Sequence, residues 1–116
     1  MSMFKGNSVP EVSAVDAESG SDPQILLDVR NADEWEAGHA PNAQWVPLPD
    51  LEGARFKIPM NRRIVCVCRS GARSARATES LLSWGFEASN MVGGMKAWAE
   101  GGFPVVKDDG TPGEVI

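Results

Sequence analysis

The residues best suited to chemistry in this chain lie in one run, Ile64-Val65-Cys66-Val67-Cys68-Arg69-Ser70-Gly71-Ala72-Arg73-Ser74. A short β-branched stretch ends at a cysteine, and a small basic loop containing glycine turns straight into a helical pattern. A sulfur at such a junction faces the first N–H groups of a helix. Those groups have no intrahelical partner and carry the positive end of the helix dipole. Arg69, Arg73 and Arg76 add positive charge, and no acid interrupts residues 69 to 78. Each effect favours thiolate over thiol, so Cys68 is the expected nucleophile. Cys66 sits inside the apolar run and reads as an inert core residue. Gly71 is expected at φ > 0, since amides that converge on one point need a residue without a Cβ.

The elements around this loop can be read from periodicity. Ile64 to Val67 has the continuous apolar character of a buried parallel strand ending at Cys68. From Ser74 onward, Ala75, Ala77, Thr78, Leu81, Leu82 and Trp84 fall at helical spacings, with Gly85 as the stop. Upstream, Val9 to Ala14 reads as a short strand and Asp16 to Gly20 as a helical turn or loop. Ile25 to Val29 reads as a buried strand, and Asn31 as the cap of a short helix running through Ala37. Gln44 to Val46 is a strand between Pro41 and Pro47, and Pro49 to Phe56 a turn or short helix. A strand over Ala88 to Val92 and a helix over Met95 to Ala99 complete the pattern. Strands alternating with helices imply an α/β fold with a mostly parallel central sheet and helices on both faces. Ligands in such sheets bind at the carboxyl ends of the strands, where Asp28 and Cys68 would share one rim.

Four segments in register carry a family resemblance. The loop Cys68 to Arg73 resembles the active loop of rhodanese-type sulfurtransferases, in which a cysteine and the next five residues cradle a sulfur anion. Leu26-Leu27-Asp28-Val29-Arg30 with Asp33-Glu34-Trp35 is similar to the family's strand-end signature. Gly38-His39-Ala40-Pro41-Asn42-Ala43 is similar to its second, with Ala40 and Asn42 where isoleucine and glycine are commoner. Met91-Val92-Gly93-Gly94-Met95-Lys96-Ala97-Trp98 resembles the closing strand and helix. The resemblance spans roughly residues 9 to 104 and implies a rhodanese domain over 9–106, with 1–8 and 107–116 as loose terminal extensions.

It also implies a reaction. Cys68 would take the sulfane sulfur of a donor such as thiosulfate, releasing sulfite, and hand it to a thiophilic acceptor such as cyanide or a thiol. Arg69 would meet the outer sulfonate oxygens, and Arg73 would close the loop on its carbonyls or on the sulfur group. A loop this short is expected to keep both side chains near its own concavity. Ser70, Gly71 and Ala72 would supply backbone amides, with Ser74 supporting the loop. Asp28 is expected to tie the loop in shape rather than to move a proton. His39 reads as a structural turn residue. No metal or organic cofactor is implied. Two other readings compete. A phosphatase or arsenate reductase of related fold would have one more residue between cysteine and arginine than the C-x4-R found here. The other is a non-catalytic interaction module or a sulfur carrier, of which the carrier would take persulfide on Cys68 from a protein donor, pass it to a protein acceptor and turn over thiosulfate poorly.

The rest of the composition narrows the class. At 116 residues the chain is one domain, able to bury roughly two-thirds of its unfolded surface. Its net charge of −5 argues against a nucleic-acid binder, so the arginines form a local positive spot on an acidic molecule. That contrast suits a small anion. Residues 1–7 lack the apolar core of a secretory signal, and no apolar run approaches the ~20 residues of a membrane span. The cytosol is the expected compartment. Cys66 and Cys68 are two apart on an extended strand, which separates their Cα atoms to about the 6.8 Å limit for a disulfide. With His39 the sole histidine, a Cys-x-Cys zinc site has no second pair of ligands. Trp35, Trp45, Trp84 and Trp98 read as core or cleft wall.

Overall fold

The structure is a computed structural model that describes residues 9–20 and 24–116. The extension expected over residues 1–8 lies outside them. The most apolar segments form the centre of the sheet. β2 (Gln24–Asp28) and β4 (Arg63–Val67) pair in parallel from Gln24 opposite Arg63 to Asp28 opposite Val67. β5 (Ala88–Met91) flanks β4. Two-residue strands close the edges, β1 (Glu11–Val12) beside β5 and β3 (Gln44–Trp45) beside β2. The order is β1-β5-β4-β2-β3, and these five strands pair in parallel throughout. Edges this short offer little backbone for another chain to pair with.

A parallel sheet must be covered on both faces, and strand alternation assigns each face its helices. Ile25, Leu27, Ile64 and Cys66 pack with Leu51 of α3 (Leu51–Ala54) and with Ala77 and Leu81 of α4 (Ala72–Ser83). Val65, Val67 and Met91 pack on the other face with Ala14 and Ala17 of α1 and Met95 and Trp98 of α5. α1 is Ala14–Ser19 and α5 is Gly94–Glu100. The expected α/β architecture with helices on both faces is the one observed.

Local differences have physical causes. The strand expected over Val9 to Ala14 stops at Val12, because Ser13 caps α1 by accepting the Asp16 N–H at 3.0 Å. Burial of Ala14 and Ala17 then makes a helix of what read as a turn or loop. The segment after Pro47 is a 3₁₀ turn (Leu48–Asp50), the single turn α3, and a second 3₁₀ turn (Arg55–Lys57). α4 begins at Ala72 rather than Ser74, so Arg73 belongs to its first turn. Asn31 precedes α2 (Ala32–Ala37) as expected, and its N–H donates to the Glu34 carboxylate at 3.0 Å. Trp35 and Trp98 are buried. Trp45 is half-exposed on the edge strand, its Nε1 donating to Arg30 O at 2.9 Å.

Residues 107–116, read as a loose end, instead fold back onto the domain. Val106 pairs antiparallel with His39, Gly113 N donates to Val105 O at 2.8 Å, and Glu114 N donates to Ala37 O at 2.9 Å. Contact this close needs glycine on both sides. A Cβ at Gly38 would lie 2.6 Å from Glu114 N, and one at Gly113 would lie 2.7 Å from Ala37 O.

Candidate active site

β2 and β4 are neighbours, yet the chain leaves them in opposite directions, from β2 to β3 on one side and from β4 to β5 on the other. Loops that diverge from adjacent strand ends open a crevice at the carboxyl edge, the usual ligand site of such sheets. Cys68 stands there, one residue beyond β4.

Its sulfur is the centre of a hydrogen-bonded cradle. Gly71 N donates to Sγ at 3.1 Å, and Ser74 Oγ lies 3.2 Å from it. Gly71 is the N-cap of α4 at φ 115°, a left-handed conformation that an L side chain rarely adopts. A Cβ at this position would meet its nearest neighbour at 3.6 Å, so backbone twist rather than space demands glycine. Burial works against ionisation of Cys68, which is 1% exposed. The Ser74 hydroxyl and the N–H groups of Ser74, Gly71 and Ser70 outweigh it and hold the thiol below its ordinary 9.0. Cys66 faces the same side of the sheet, where burial outweighs one hydrogen bond from Thr78 and pushes its thiol up to about 12. Both cysteines are free thiols.

The loop is gripped from behind by α5. Met95 N donates to Cys68 O at 2.8 Å and Lys96 N to Arg69 O at 3.0 Å. These helix-start amides would otherwise lack partners; here they hold two loop carbonyls away from the sulfur. Gly94, at φ 57°, permits the approach: a Cβ there would press on Cys68 O and lie 2.6 Å from Arg69 O.

The arginines divide. Arg73 does not bond loop carbonyls. Its guanidinium fork grips the Glu34 carboxylate of α2 at 2.7 and 2.8 Å, while still lying close enough to interact with the Cys68 charge. Arg69 is exposed on the outer rim, and its Nε donates to Ile116 O at 2.9 Å. The expectation that a loop this short keeps both side chains in its concavity misjudged Arg69, because the folded-back tail supplies a partner outside. Ser70 and Ala72 are exposed on the loop, and Ser74 is fully buried beneath it. Asp28 ties its own turn rather than the cysteine loop: its carboxylate receives Arg30 Nε, Nη2 and N. Arg30 Nη2 also donates to Gly38 O at 2.8 Å. His39 stacks on Trp35 with ring centroids 3.5 Å apart, and its Nε2 is 3.0 Å from Asp108 Oδ1.

Two residues beside the loop escaped sequence reasoning. Glu34 stood inside the Asp-Glu-Trp segment, but nothing local told that it would reach 39 positions along the chain to Arg73. Asn90, on β5, contacts both Gly71 and Ser74, and beside the polar Ser89 nothing in the strand's sequence set it apart.

Comparison with known proteins agrees with this geometry. The rhodanese-like domain family model matches residues 11–101. A sulfurtransferase of Allochromatium vinosum is 35% identical over 106 residues, covering 85% of this chain and 99% of that relative. A putative sulfur carrier protein of Bacillus subtilis is 34% identical over 96 residues, covering 79% of this chain and 52% of that relative. The crystal structure of a rhodanese-related protein from Thermoplasma volcanium superposes with a TM-score of 0.80 at 29% identity, covering 84% and 97% of the two chains. The chain belongs to the rhodanese-like domain family, whose members here include a sulfurtransferase and a putative sulfur carrier. Among the described residues, no helix is long and apolar enough to cross a membrane.

Proposed function

We propose that this protein transfers sulfane sulfur through a persulfide on Cys68, with thiosulfate as a competent donor and cyanide or a thiol as acceptor. The observation that carries the reading is the convergence of Gly71 N–H and the Ser74 hydroxyl on a sulfur whose thiol is held below its ordinary range. The Cys68 thiolate attacks the outer sulfur of thiosulfate. An Sγ–S bond forms, the donor S–S bond breaks, and its electron pair leaves with sulfite. One negative charge now resides on the terminal sulfur of Cys68. The acceptor attacks that sulfur and returns the thiolate, so turnover is ping-pong. Amides already aimed at the anion stabilise it without reorganising. Arg73, fixed by Glu34, supplies field at the sulfur; Arg69, on the rim, would have to leave Ile116 O to meet the donor's outer oxygens.

Intact mass tests this directly. Reduced protein incubated with thiosulfate and freed of excess donor should gain one sulfur atom and lose it on a thiol wash. Folded protein that gains nothing from thiosulfate or from polysulfide would overturn the reading. The resemblance to a putative sulfur carrier favours a second form of it, in which a protein desulfurase loads Cys68. That form gives a slow persulfide from thiosulfate and a fast one from the desulfurase. The C-x4-R loop is one residue short for a phosphoryl group, so turnover of a small aryl phosphate should be absent.

A further inference from the structure

Asn90 has no part in the sulfur transfer just described, yet both ends of its buried amide point into the cradle. Nδ2 donates to Gly71 O at 3.1 Å, which turns Oδ1 toward Ser74, whose Oγ is 2.5 Å away. The same Oγ lies 3.2 Å from Cys68 Sγ. Ser74 is fully buried, and a serine hydroxyl carries one proton. Two groups therefore compete for it, an amide oxygen and a thiolate, and neither has a proton of its own to offer. While Cys68 is a thiol there is no conflict: Ser74 donates to Asn90 and accepts the S–H. Ionisation removes that arrangement. Either the thiolate or Oδ1 must then go without the hydroxyl, and a buried acceptor left unpaired is costly.

Building on the persulfide reading, we propose that Asn90 is a positioning residue that competes with the Cys68 thiolate for the Ser74 proton. The hydroxyl turns to the sulfur when the cysteine is empty and returns to Asn90 once sulfur is loaded. The return follows from where the charge goes. Loading places the negative charge on a second sulfur about 2 Å further out, and Sγ becomes a neutral disulfide-like sulfur, a weak acceptor. Asn90 therefore disfavours the empty thiolate relative to the persulfide. The other charged or titratable groups around the cradle are Arg73 on α4, held by Glu34 of α2 and acted on by Asp28 at the end of β2, Arg69, turned to Ile116 O, and the Cys66 thiol on β4. α5 meets the loop through backbone amides, with the Lys96 side chain exposed. Among the described contacts none of these reaches the Ser74 hydroxyl.

The test is a cycle of Asn90→Leu, Ser74→Ala and the double variant, following the pH dependence of Cys68 alkylation by iodoacetamide. Gly71 O keeps its bond from Ala75 N in all of them. Asn90→Leu should move the alkylation midpoint down by about one pH unit, the scale of one hydrogen bond to a charged sulfur. Ser74→Ala should move it up, and adding Asn90→Leu to Ser74→Ala should move it no further. A midpoint that rises or stays put in Asn90→Leu, or that falls equally in both backgrounds, overturns the proposal. NMR on the wild-type protein gives an arm independent of variant folding. The Asn90 side-chain resonances should shift as Cys68 ionises and shift back when the persulfide forms; resonances indifferent to both steps would sink the idea. Failure of the persulfide to form, with the alkylation cycle and the ionisation shift as expected, would count against the sulfur-transfer reading and leave the proton competition standing.

Discussion

Two cysteines two positions apart have opposite chemistry because of what surrounds each sulfur. Cys66 is enclosed by core side chains, and burial pushes its thiol to about 12. Cys68 is as deeply placed but is met by N–H groups and a hydroxyl that favour the anion. Its ionisation midpoint should therefore lie below 9.0, and alkylation of the wild-type protein should have its midpoint on the acid side of that value. Cys68→Ser should abolish thiosulfate:cyanide sulfur transfer, since the covalent intermediate is obligatory in the mechanism proposed. Cys66→Ala should keep most of the activity while costing about 1–2 kcal/mol of stability from a small cavity. Equal loss of turnover in both folded variants would refute the assignment of Cys68. At this scale the lowered thiol of Cys68 was legible from its neighbours in sequence. The Ser74–Asn90 contact was not, because it joins α4 to β5 across 16 positions.

At the scale of elements, the loop is held between two helices that it does not belong to. α2 reaches it through Glu34, whose carboxyl is held below its ordinary 4.5 first by hydrogen bonds from Arg73, with burial opposing. A carboxyl lowered on folding contributes fully above 4.5 and loses that contribution as pH falls through its folded-state value. Glu34→Gln should thus cost about 1–2 kcal/mol near neutral pH, discounted because Arg73 is a third exposed. The gap between the variant and wild type should narrow below pH 4.5 in urea melts; a gap independent of pH would show that the ion pair is not its source. α5 holds the loop through Gly94 and the two amides that follow. Gly94→Ala combines left-handed strain with pressure on Cys68 O, a cost of about 1–3 kcal/mol. Displacing the cradle should reduce sulfur transfer on the order of 10- to 100-fold. Wild-type turnover in that variant would mean the α5 contact does not position the loop.

Taken as a whole molecule, the domain is closed by its own tail. Residues beyond Val105 cover the turn after α2, where Gly38 and Gly113 meet backbone to backbone. Gly38 has extended dihedrals, φ 162° and ψ 147°, so alanine there is penalised by contact alone. Gly38→Ala should lower stability by about 1–3 kcal/mol in thermal melts by displacing the tail. The Cys68 alkylation profile should stay as in wild type, because the cradle draws its donors from α4 and the loop before it. A shifted profile would instead tie the tail to the chemistry.

Periodicity and local electrostatics were enough to order the strands and helices along the chain, to place helices on both faces and to mark Gly71; together with the family resemblance they singled out Cys68. Those features depend on neighbours a few residues away: alternation buries a strand, and helix-start amides lower a thiol wherever they occur. Short segments were settled by partners far off in sequence. The stretch after Ser13 became a helix because α5 gives it a surface to bury against, and residues 107–116 were ordered by a groove made at Gly38. The site divided in the same way. Its lowered thiol was local, but Arg73 turned to Glu34, Arg69 to Ile116, and Asn90 entered from another strand. Only the tertiary structure could decide these, because a charged or polar side chain goes to whichever complementary group packing brings within about 3 Å, and linear spacing does not encode that distance.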